Sequence, residues 1–259
     1  MYRSKRVAVV MPAYNAEMTL RRSFSEVVAE GIADTVIIVD DCSRDNTAAV
    51  AARLSEELRV KGEECAQPRL LYRRHERNRG YGGNQKSCYE MALADGADIV
   101  VMVHPDCQYT PRLLVPMVAM IAAGLHPCVL ASRILGGYAL KGGMPLWKYV
   151  SNRFLTAFMN LLTGAKLSEY HTGYRAFSAE LLRKLPLERN IDDFAFDAQM
   201  LAEIIASGAT IGEVSCPTVY APEASSINFV RSCKYGFGCL GAALRCRFAR
   251  RSLLKGSEQ

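Results

Sequence analysis

Two apolar stretches near the N-terminus decide the fold: residues 6–15 read RVAVVMPAYN, and residues 35–43 read TVIIVDDCS. Each begins with a run rich in Val and Ile and ends in polar, turn-forming residues, a pattern typical of a buried strand. The intervening residues 18–29 have apolar side chains at helical spacing and stop at Gly31. A strand, a helix and a second strand in this order predict two parallel strands joined by a helical crossover.

The same alternation continues along the chain. The further predicted elements are strands at residues 70–73, 99–103 and 128–131 and helices at residues 47–61, 83–94 and 111–123. After residue 132 the pattern loosens, with a helix at 146–162, a strand at 173–177, a helix at 196–207 and a strand near 210–214. We therefore predict an α/β fold, a Rossmann-like and mainly parallel mixed sheet flanked by helices.

The composition is that of a folded globular chain. Half of the 259 residues are hydrophobic and 22% are charged. The nine cysteines form no CxxC pairs or His/Cys clusters at zinc spacing, so neither a disulfide framework nor a zinc site is expected. The N-terminus is basic but lacks the long apolar segment of a signal peptide. These features favour a cytoplasmic protein.

The net charge of +6 is concentrated at the C-terminus. From residue 229 onward there are seven Lys or Arg residues and one acid, Glu258. Subtracted from the totals of 32 and 26, they leave 25 basic and 25 acidic residues in the first 228 positions. A neutral body argues against a nucleic-acid partner, and the basic tail indicates a local anionic partner.

Polar residues follow four of the predicted strands, where ligands bind in open parallel sheets. The first strand ends in residues 12–15 (PAYN), the second in 40–43 (DDCS), the fourth in 104–108 (HPDCQ) and the fifth in 132–133 (SR). Because the carboxyl ends of parallel strands share one edge of a sheet, these side chains predict a site for a charged, polar ligand. The alternative is that they serve only as caps and turns.

Several motifs together resemble the family-2 glycosyltransferases. PAYN at 12–15 and VDDCS at 39–43 resemble the nucleotide-binding half of that family, and NRGYGGN at 78–84 resembles its Asn/Gly-rich segment. TGYRAF at 172–177 and the acidic residues after it resemble the subgroup of dolichol- or polyprenyl-phosphate sugar transferases. The match covers roughly residues 6–220 in the right order.

The resemblance implies a GT-A fold and an inverting, metal-dependent transfer from a GDP- or UDP-sugar donor. The preferred acceptor is a polyprenyl or dolichyl phosphate. Asp41 would bind the base or ribose, Arg79 would face the nucleotide, and Asp106 would ligate Mn²⁺ or Mg²⁺. The full set of implied site residues is Asp106, Asp197, Arg133 and Arg175 for catalysis, Pro12, Tyr14, Asn15, Glu17, Asp40, Asp41, Arg79 and Gly80 for donor binding, and His104, Asp106 and Gln108 for the metal. Arg133 and Arg175 are candidates for phosphate contacts, since guanidinium groups bind phosphate bidentately.

The chain departs from the family pattern in two places. His104 stands where a DxD-type motif has a carboxylate, and Ala16 separates Asn15 from Glu17. Because His104 replaces that carboxylate, a non-catalytic nucleotide-sugar binding protein remains an alternative. A sugar-1-phosphate nucleotidyltransferase is disfavoured because a Gly-rich loop is missing after Met11. Within the transferases, a saccharide, glycolipid or protein hydroxyl remains an alternative acceptor, with Asp197 as the candidate base.

The tail predicts a second unit. We expect a glycosyltransferase domain over residues 1–228 and a basic amphipathic extension over 229–259. Apolar side chains at 230, 237, 240, 244 and 248 fall near one helical face, so residues 229–254 could contact an anionic membrane peripherally. The alternatives are packing on the domain or pairing of two subunits. Glycines at 236, 238 and 241 weaken this helix prediction. The sequence does not indicate an oligomeric state.

Overall fold

The structure, a computed structural model, describes residues 1–61, 67–218, 220 and 229–256, with side chains described except at 60–61, 229–234 and 249–256. The strands are β1 (Val7–Ala13), β2 (Thr35–Asp40), β3 (Arg69–Arg74), β4 (Ile99–Met102), β5 (Cys128–Ser132), β6 (Arg175–Ser178) and β7 (Ile211–Ser215). The α-helices are α1 (Leu20–Ala29), α2 (Thr47–Lys61), α3 (Gly80–Ala94), α4 (Leu114–Ala122), α5 (Leu146–Thr163), α6 (Ala179–Lys184), α7 (Phe196–Ala206) and α8 (Phe229–Gly256).

The seven strands form one mixed sheet in the order β3-β2-β1-β4-β6-β5-β7. All neighbouring strands pair in parallel except β6, which is antiparallel to both β4 and β5. Every residue of β1, β2, β4 and β5 is buried, because helices cover both faces of the sheet. The predicted mainly parallel mixed sheet is thereby confirmed.

The predicted elements are present, with small shifts at their ends. The helix expected to begin at residue 83 begins at Gly80, so it takes up the whole glycine-rich segment. The short helix α6 was not predicted; Ser178 caps it by accepting a hydrogen bond from the amide of Leu181 at 3.2 Å. Proline 111 opens a short 3₁₀ turn that leads into α4.

The C-terminal extension is helical and packs on the domain. Helix α8 contacts α5 and α7, and its small residues Cys239, Ala242, Ala243 and Cys246 are buried. One of the glycines that weakened the sequence prediction serves this packing: a Cβ on Gly238 would lie 2.5 Å from the Cβ of Ala195. Among the helices of the described residues, none is both long and apolar enough to cross a bilayer. The boundary at residue 228 lies outside the described residues and stays a prediction.

Candidate active site

Three loops follow the carboxyl ends of the adjacent parallel strands β2, β1 and β4 and therefore lie at one edge of the sheet. Each contains a non-glycine residue in the left-handed backbone region: Asn15 (φ 51°), Cys42 (φ 59°) and Cys107 (φ 56°). Such conformations cost free energy and cluster at binding and catalytic sites, where surrounding contacts hold them. The strained loops mark this edge as the candidate site.

Hydrogen bonds join the loops after β1 and β2. The amide of Asn15 donates to Oγ of Ser43 at 2.9 Å, and Oδ1 of Asn15 accepts from the amide of Arg44 at 2.9 Å. The Ser43 amide in turn donates to Oδ1 of Asp40 at 2.9 Å. These bonds turn predicted donor-site residues into one rigid unit.

The remaining residues of the first loop differ in exposure. Pro12 is buried at the end of β1, whereas Tyr14 is exposed. The carboxylate of Glu17 accepts from the amide of Asn46 at 3.1 Å and from its side chain at 2.9 Å. Tyr14 is therefore accessible to a ligand, while Glu17 supports the start of α2.

Two aspartates, the last residue of β2 and the residue after it, are buried and accept hydrogen bonds from protein donors. Oδ2 of Asp40 accepts from the hydroxyl of Tyr72 at 3.3 Å. The oxygens of Asp41 accept from the amides of Arg79 (2.7 Å) and Gly80 (3.0 Å), and Nδ1 of His75 lies 2.8 Å from Oδ1. Asp41 thus caps the N-terminus of α3, where a carboxylate is electrostatically favoured. Its contact with a base or ribose stays a prediction.

The glycine-rich start of α3 lies against residues 190–194. Gly80 has φ 82°, and a Cβ there would lie 2.5 Å from the carbonyl oxygen of Asp192. A Cβ on Gly82 would lie 2.5 Å from the carbonyl oxygen of Ile191. Lys86 holds the same loop, its Nζ donating to Oδ1 of Asp192 at 2.8 Å. Side chains at either glycine would push this loop off the helix.

The predicted metal motif stands at the end of β4. Oδ1 of the partly exposed Asp106 accepts from the amide of Gln108 at 3.0 Å. Burial lowers the pKa of His104, although the carboxylates of Asp106 and Asp197 act to raise it. Within the described ranges, no group of three or more His, Cys, Asp or Glu residues is arranged to hold a metal. A cation held here would need further oxygen ligands from a bound molecule.

Tyr81 connects this motif to α7. Its hydroxyl donates to Oδ2 of Asp197 at 2.8 Å and lies 3.0 Å from Nε2 of His104. Burial raises the pKa of Tyr81 well above its usual value, so the hydroxyl keeps its proton. With that proton directed to Asp197, the hydroxyl accepts from Nε2–H of His104, and the lone pair of the neutral imidazole lies on Nδ1.

Arg175 is fully buried beneath the site. Its guanidinium donates to the carbonyls of Thr172 (2.7 Å), Asp197 (2.9 Å) and Tyr170 (2.9 Å), and Nη1 lies 3.6 Å from Oδ1 of Asp197. The group is therefore not at the surface for the phosphate contact that the sequence predicted. It ties the start of β6 to α7 instead.

Arg133 forms an ion pair with Glu169, which is fully buried. The guanidinium also donates to the carbonyl of His171 at 2.8 Å and to the hydroxyl of Tyr220 at 3.0 Å. Burial alone would raise the pKa of Glu169, but Arg133 outweighs it and lowers that pKa. Arg133 keeps a small exposed fraction of 11%, unlike Arg175.

The backbone of residues 171–173 separates Arg133 from His104. Arg133 binds the carbonyl of His171, while a Cβ on Gly173 would lie 2.7 Å from the His104 ring. The amide of Gly173 donates to the hydroxyl of Tyr109 at 3.2 Å. The glycine of TGYRAF therefore lets the His104 ring approach the backbone of residues 171–173 closely. The β4 motif and Arg133 lie on opposite sides of this segment.

Three residues of this site were not predicted: Tyr81, His75 and Glu169. Tyr81 stands inside the recognised segment 78–84, but its partners come from distant parts of the chain. A signal for Glu169 was present, since no Asp or Glu occurs between Asp106 and Glu169. A lone acid before TGYRAF is a natural partner for Arg133.

Comparison with known proteins identifies the chain by family. The model of glycosyl transferase family 2 matches residues 8–186. The UDP-N-acetylglucosamine–dolichyl-phosphate N-acetylglucosaminyltransferase of Methanococcus voltae is 29% identical over 219 residues, which are 83% of this chain and 86% of that protein. The polyprenol monophosphomannose synthase of Mycolicibacterium smegmatis is 23% identical over 213 residues, covering 82% of this chain and 76% of that protein.

Solved structures with the same fold include glucosyl-3-phosphoglycerate synthase from Mycobacterium tuberculosis. Its complex with Mn²⁺, UDP-glucose and phosphoglyceric acid superposes with a TM-score of 0.66 at 20% sequence identity, covering 95% of this chain and 80% of that one. A second complex, with Mn²⁺, UDP and glucosyl-3-phosphoglycerate, gives a TM-score of 0.65 at 20% identity, covering 94% and 80%. The predicted GT-A fold is confirmed.

Proposed function

This chain belongs to glycosyl transferase family 2, and we propose that it transfers a sugar, with inversion, from a nucleotide-sugar donor to a polyprenyl or dolichyl phosphate. The observation that carries the acceptor is that protein donors engage both carboxylate oxygens of Asp197. Two relatives that align over more than four fifths of the chain support the same acceptor, since one is named for transfer to dolichyl phosphate and the other for synthesis of polyprenol monophosphomannose.

The donor would lie over the loops after β1 and β2. Tyr14 offers an exposed ring there, and Arg79 is exposed beside the N-terminus of α3. A helix N-terminus favours negative charge, as on a diphosphate. The other predicted donor-site residues would hold these loops in shape rather than contact the donor with free polar groups, because their hydrogen bonds are made within the protein. These residues are Pro12, Asn15, Glu17, Asp40, Asp41 and Gly80. We propose a UDP- or GDP-sugar as the donor.

The residues after β4 fit a divalent metal in part. Asp106 supplies a carboxylate, and Nδ1 of His104 carries a lone pair if Nε2–H is held by Tyr81. Mg²⁺ and Mn²⁺ commonly take one or two protein ligands and complete their shell with substrate phosphates and water. Imidazole would favour Mn²⁺ over Mg²⁺, and Gln108 would act through its backbone amide on Asp106. When bound, such a cation offsets the charge of the leaving nucleoside diphosphate.

The choice of acceptor depends on whether a carboxylate at the site can serve as a base. A hydroxyl acceptor needs a base that can take its proton, whereas a phosphate oxygen is already ionised at neutral pH. Asp197 was the candidate base, but its oxygens accept from Tyr81 and from Nε2 of Gln85 (3.2 Å), and Arg175 lies beside it. Both carboxylate oxygens are therefore engaged by protein donors and the residue is buried, so neither oxygen is free to take a proton from a hydroxyl. This favours an acceptor that needs no base.

In the proposed reaction, a phosphate oxygen of the lipid forms a bond to the anomeric carbon as the bond from that carbon to the diphosphate breaks. The nucleoside diphosphate leaves with the electron pair. Arg133, partly exposed and beside residues 171–173, would attract the lipid phosphate, and the buried Arg175 would position Asp197 and the segment. Because the acceptor lipid resides in a bilayer, the enzyme would work peripherally at its cytoplasmic face.

The test is transfer of labelled sugar from UDP-N-acetylglucosamine, UDP-glucose and GDP-mannose, each with Mn²⁺ and a short-chain polyprenyl phosphate in detergent. We expect one donor to yield a chloroform-extractable product that releases its sugar in mild acid. The unphosphorylated polyprenol is the matched control and should accept no sugar. Label found only on a water-soluble saccharide or protein, or donor binding without any transfer, would overturn the proposal.

A further inference from the structure

The outward face of α5 is unusually apolar for a protein surface. Trp147 (48% exposed), Phe154 (68%) and Leu161 (73%) recur every seven residues, and Val150 and Phe158 lie between them on the same face. Isolated exposed apolar residues are common, but a continuous stripe along five turns of one helix marks an interaction surface. We call these residues the α5 outer face.

The inward face of α5 is the more polar of the two. Its buried residues are Asn152, Thr156, Met159 and Thr163. Nδ2 of Asn152 donates to Glu169 at 2.8 Å, and Oγ1 of Thr156 donates to Oδ1 of Asn152 at 3.3 Å. A helix packed on a core ordinarily turns its apolar stripe inward. The inverted arrangement indicates that the α5 outer face has a nonaqueous neighbour of its own.

Helix α8 extends this surface. It packs against α5 and exposes Phe237, Leu244 and Phe248, which recur at i, i+7 and i+11. In sequence, α8 carries seven Lys or Arg residues and α5 carries two, while neither helix contains an Asp or Glu. The two adjacent helices therefore combine exposed aromatic side chains with basic charge alone.

We propose that the α5 outer face, together with the exposed side of α8, docks on an anionic lipid bilayer. Interfacial helices bury Trp, Phe and Leu at the headgroup boundary while Lys and Arg meet lipid phosphates. Charge decides against a second copy of this chain as the occupant, because a self-complementary contact would set basic helices against each other without an acid to offset them. This places the membrane contact on α5 as well as on the tail.

The surface adjoins the proposed acceptor side. Nζ of Lys148 lies 6.0 Å from the centre of the Tyr220 ring, whose hydroxyl accepts from Arg133 at 3.0 Å. Asn152 on the inner side of α5 holds Glu169, the partner of Arg133. Docking through α5 would bring a headgroup phosphate toward Arg133. The role of Arg133 in acceptor binding rests on the proposed function, whereas the docking itself does not.

The experiment is co-sedimentation of the full chain with vesicles of phosphatidylglycerol and phosphatidylcholine that contain no polyprenyl phosphate. The test variant is Phe154→Asp/Leu161→Asp. The matched control, Val115→Asp/Leu125→Asp, adds the same charge at exposed apolar positions outside α5 and α8. We expect the test variant to partition at least ~10-fold more weakly than the parent and the control to lose much less. All these side chains are exposed, so thermal unfolding should show that each variant folds.

Equal partitioning of the test variant and its control would overturn the proposal, as would a parent that does not sediment with anionic vesicles. A parent that is dimeric in sedimentation equilibrium, and is made monomeric by the test variant without any vesicle binding, would assign the surface to a second copy. Transfer to water-dispersed acceptor is measured separately, so failure of docking is distinguishable from failure of the proposed reaction.

Discussion

The hydroxyl of Tyr81 donates a hydrogen bond to Oδ2 of Asp197 across 2.8 Å, although 116 residues separate them in the chain. The same oxygen lies 3.0 Å from Nε2 of His104. One phenol therefore sets the orientation of the imidazole in the β4 motif and occupies the carboxylate that otherwise would be the nearest candidate base. In the proposed function, this relationship would connect metal binding and acceptor choice through one set of hydrogen bonds.

Replacing Tyr81 by Phe should impair activity more than stability. Without the hydroxyl, His104 loses the partner that holds Nε2–H, and its orientation is no longer specified. We expect activity to fall on the order of 10-fold, with a higher Mn²⁺ concentration needed for half-maximal rate. Kinetics over a Mn²⁺ titration measure both. Tyr170→Phe is the control, because its hydroxyl bonds Oδ1 of Asn160 at 2.9 Å, away from His104. Identical Mn²⁺ dependence in both variants would contradict the role of Tyr81.

Asp106→Asn should abolish most metal-dependent transfer while leaving the fold intact. In the proposed function, the partly exposed carboxylate would provide the charged oxygen ligand that the β4 loop contributes to the metal. We expect a loss of at least ~100-fold, measured with saturating Mn²⁺. Asp45→Asn is the control: Asp45 accepts from Thr47 at the start of α2, so that change should lower Tm but keep the metal titration unchanged. An Asp106→Asn enzyme with the parent's activity would refute the assignment.

Arg175→Ala should act on stability first. It removes donors to three buried carbonyls and leaves Asp197 without its cation, and breaking a buried pair in this way costs about 3–5 kcal/mol of unfolding free energy. Urea unfolding measures the loss. Lys184→Ala, at an exposed ion pair with Glu180, should leave the unfolding midpoint unchanged. If Arg175→Ala instead unfolds like the parent and raises only the acceptor concentration required, the predicted phosphate contact regains support.

Stability should fall in mild acid because of His171. Burial lowers the pKa of this histidine to about 4, below its value of 6.5 in an unfolded chain, and Nδ1 lies 2.7 Å from the Tyr235 hydroxyl. The unfolded chain then binds a proton that the folded chain does not, so the free energy of unfolding decreases as pH drops from 6.5 toward 4. Protonation of His171 in the unfolded chain lowers the free energy of unfolding by about 2 kcal/mol at pH 5.

Thermal unfolding from pH 7 to pH 5 tests this expectation. The decrease in Tm should be smaller in His171→Gln than in the parent. His126→Gln, just before β5, is the matched substitution against which the slope of His171→Gln is compared. Equal slopes for His171→Gln and the parent would show that another group governs the acid sensitivity.

The sequence by itself determined the sheet and the edge where the candidate site lies. Apolar runs of strand length, helical spacing between them and turn residues after them are local signals that can be recognised along the chain. The family motifs then named the correct fold and enzyme class. Asp106, at a strand end, remains partly exposed, where its motif placed it.

Tertiary structure alone decided which polar residues are exposed at the candidate site and which are buried in contacts within the protein. Arg175 and Arg133 look alike in sequence, yet Arg175, at the start of β6, is fully buried, whereas Arg133 pairs with Glu169 and keeps a small exposed fraction. For α5, helical periodicity predicted the helix but not the direction of its apolar stripe. The spacing of Trp, Val, Phe and Leu along a helix is the same whether these residues face a core or a lipid surface. In the structure Asn152 and Thr156 pack inward, and this places the apolar stripe on the outer face of α5.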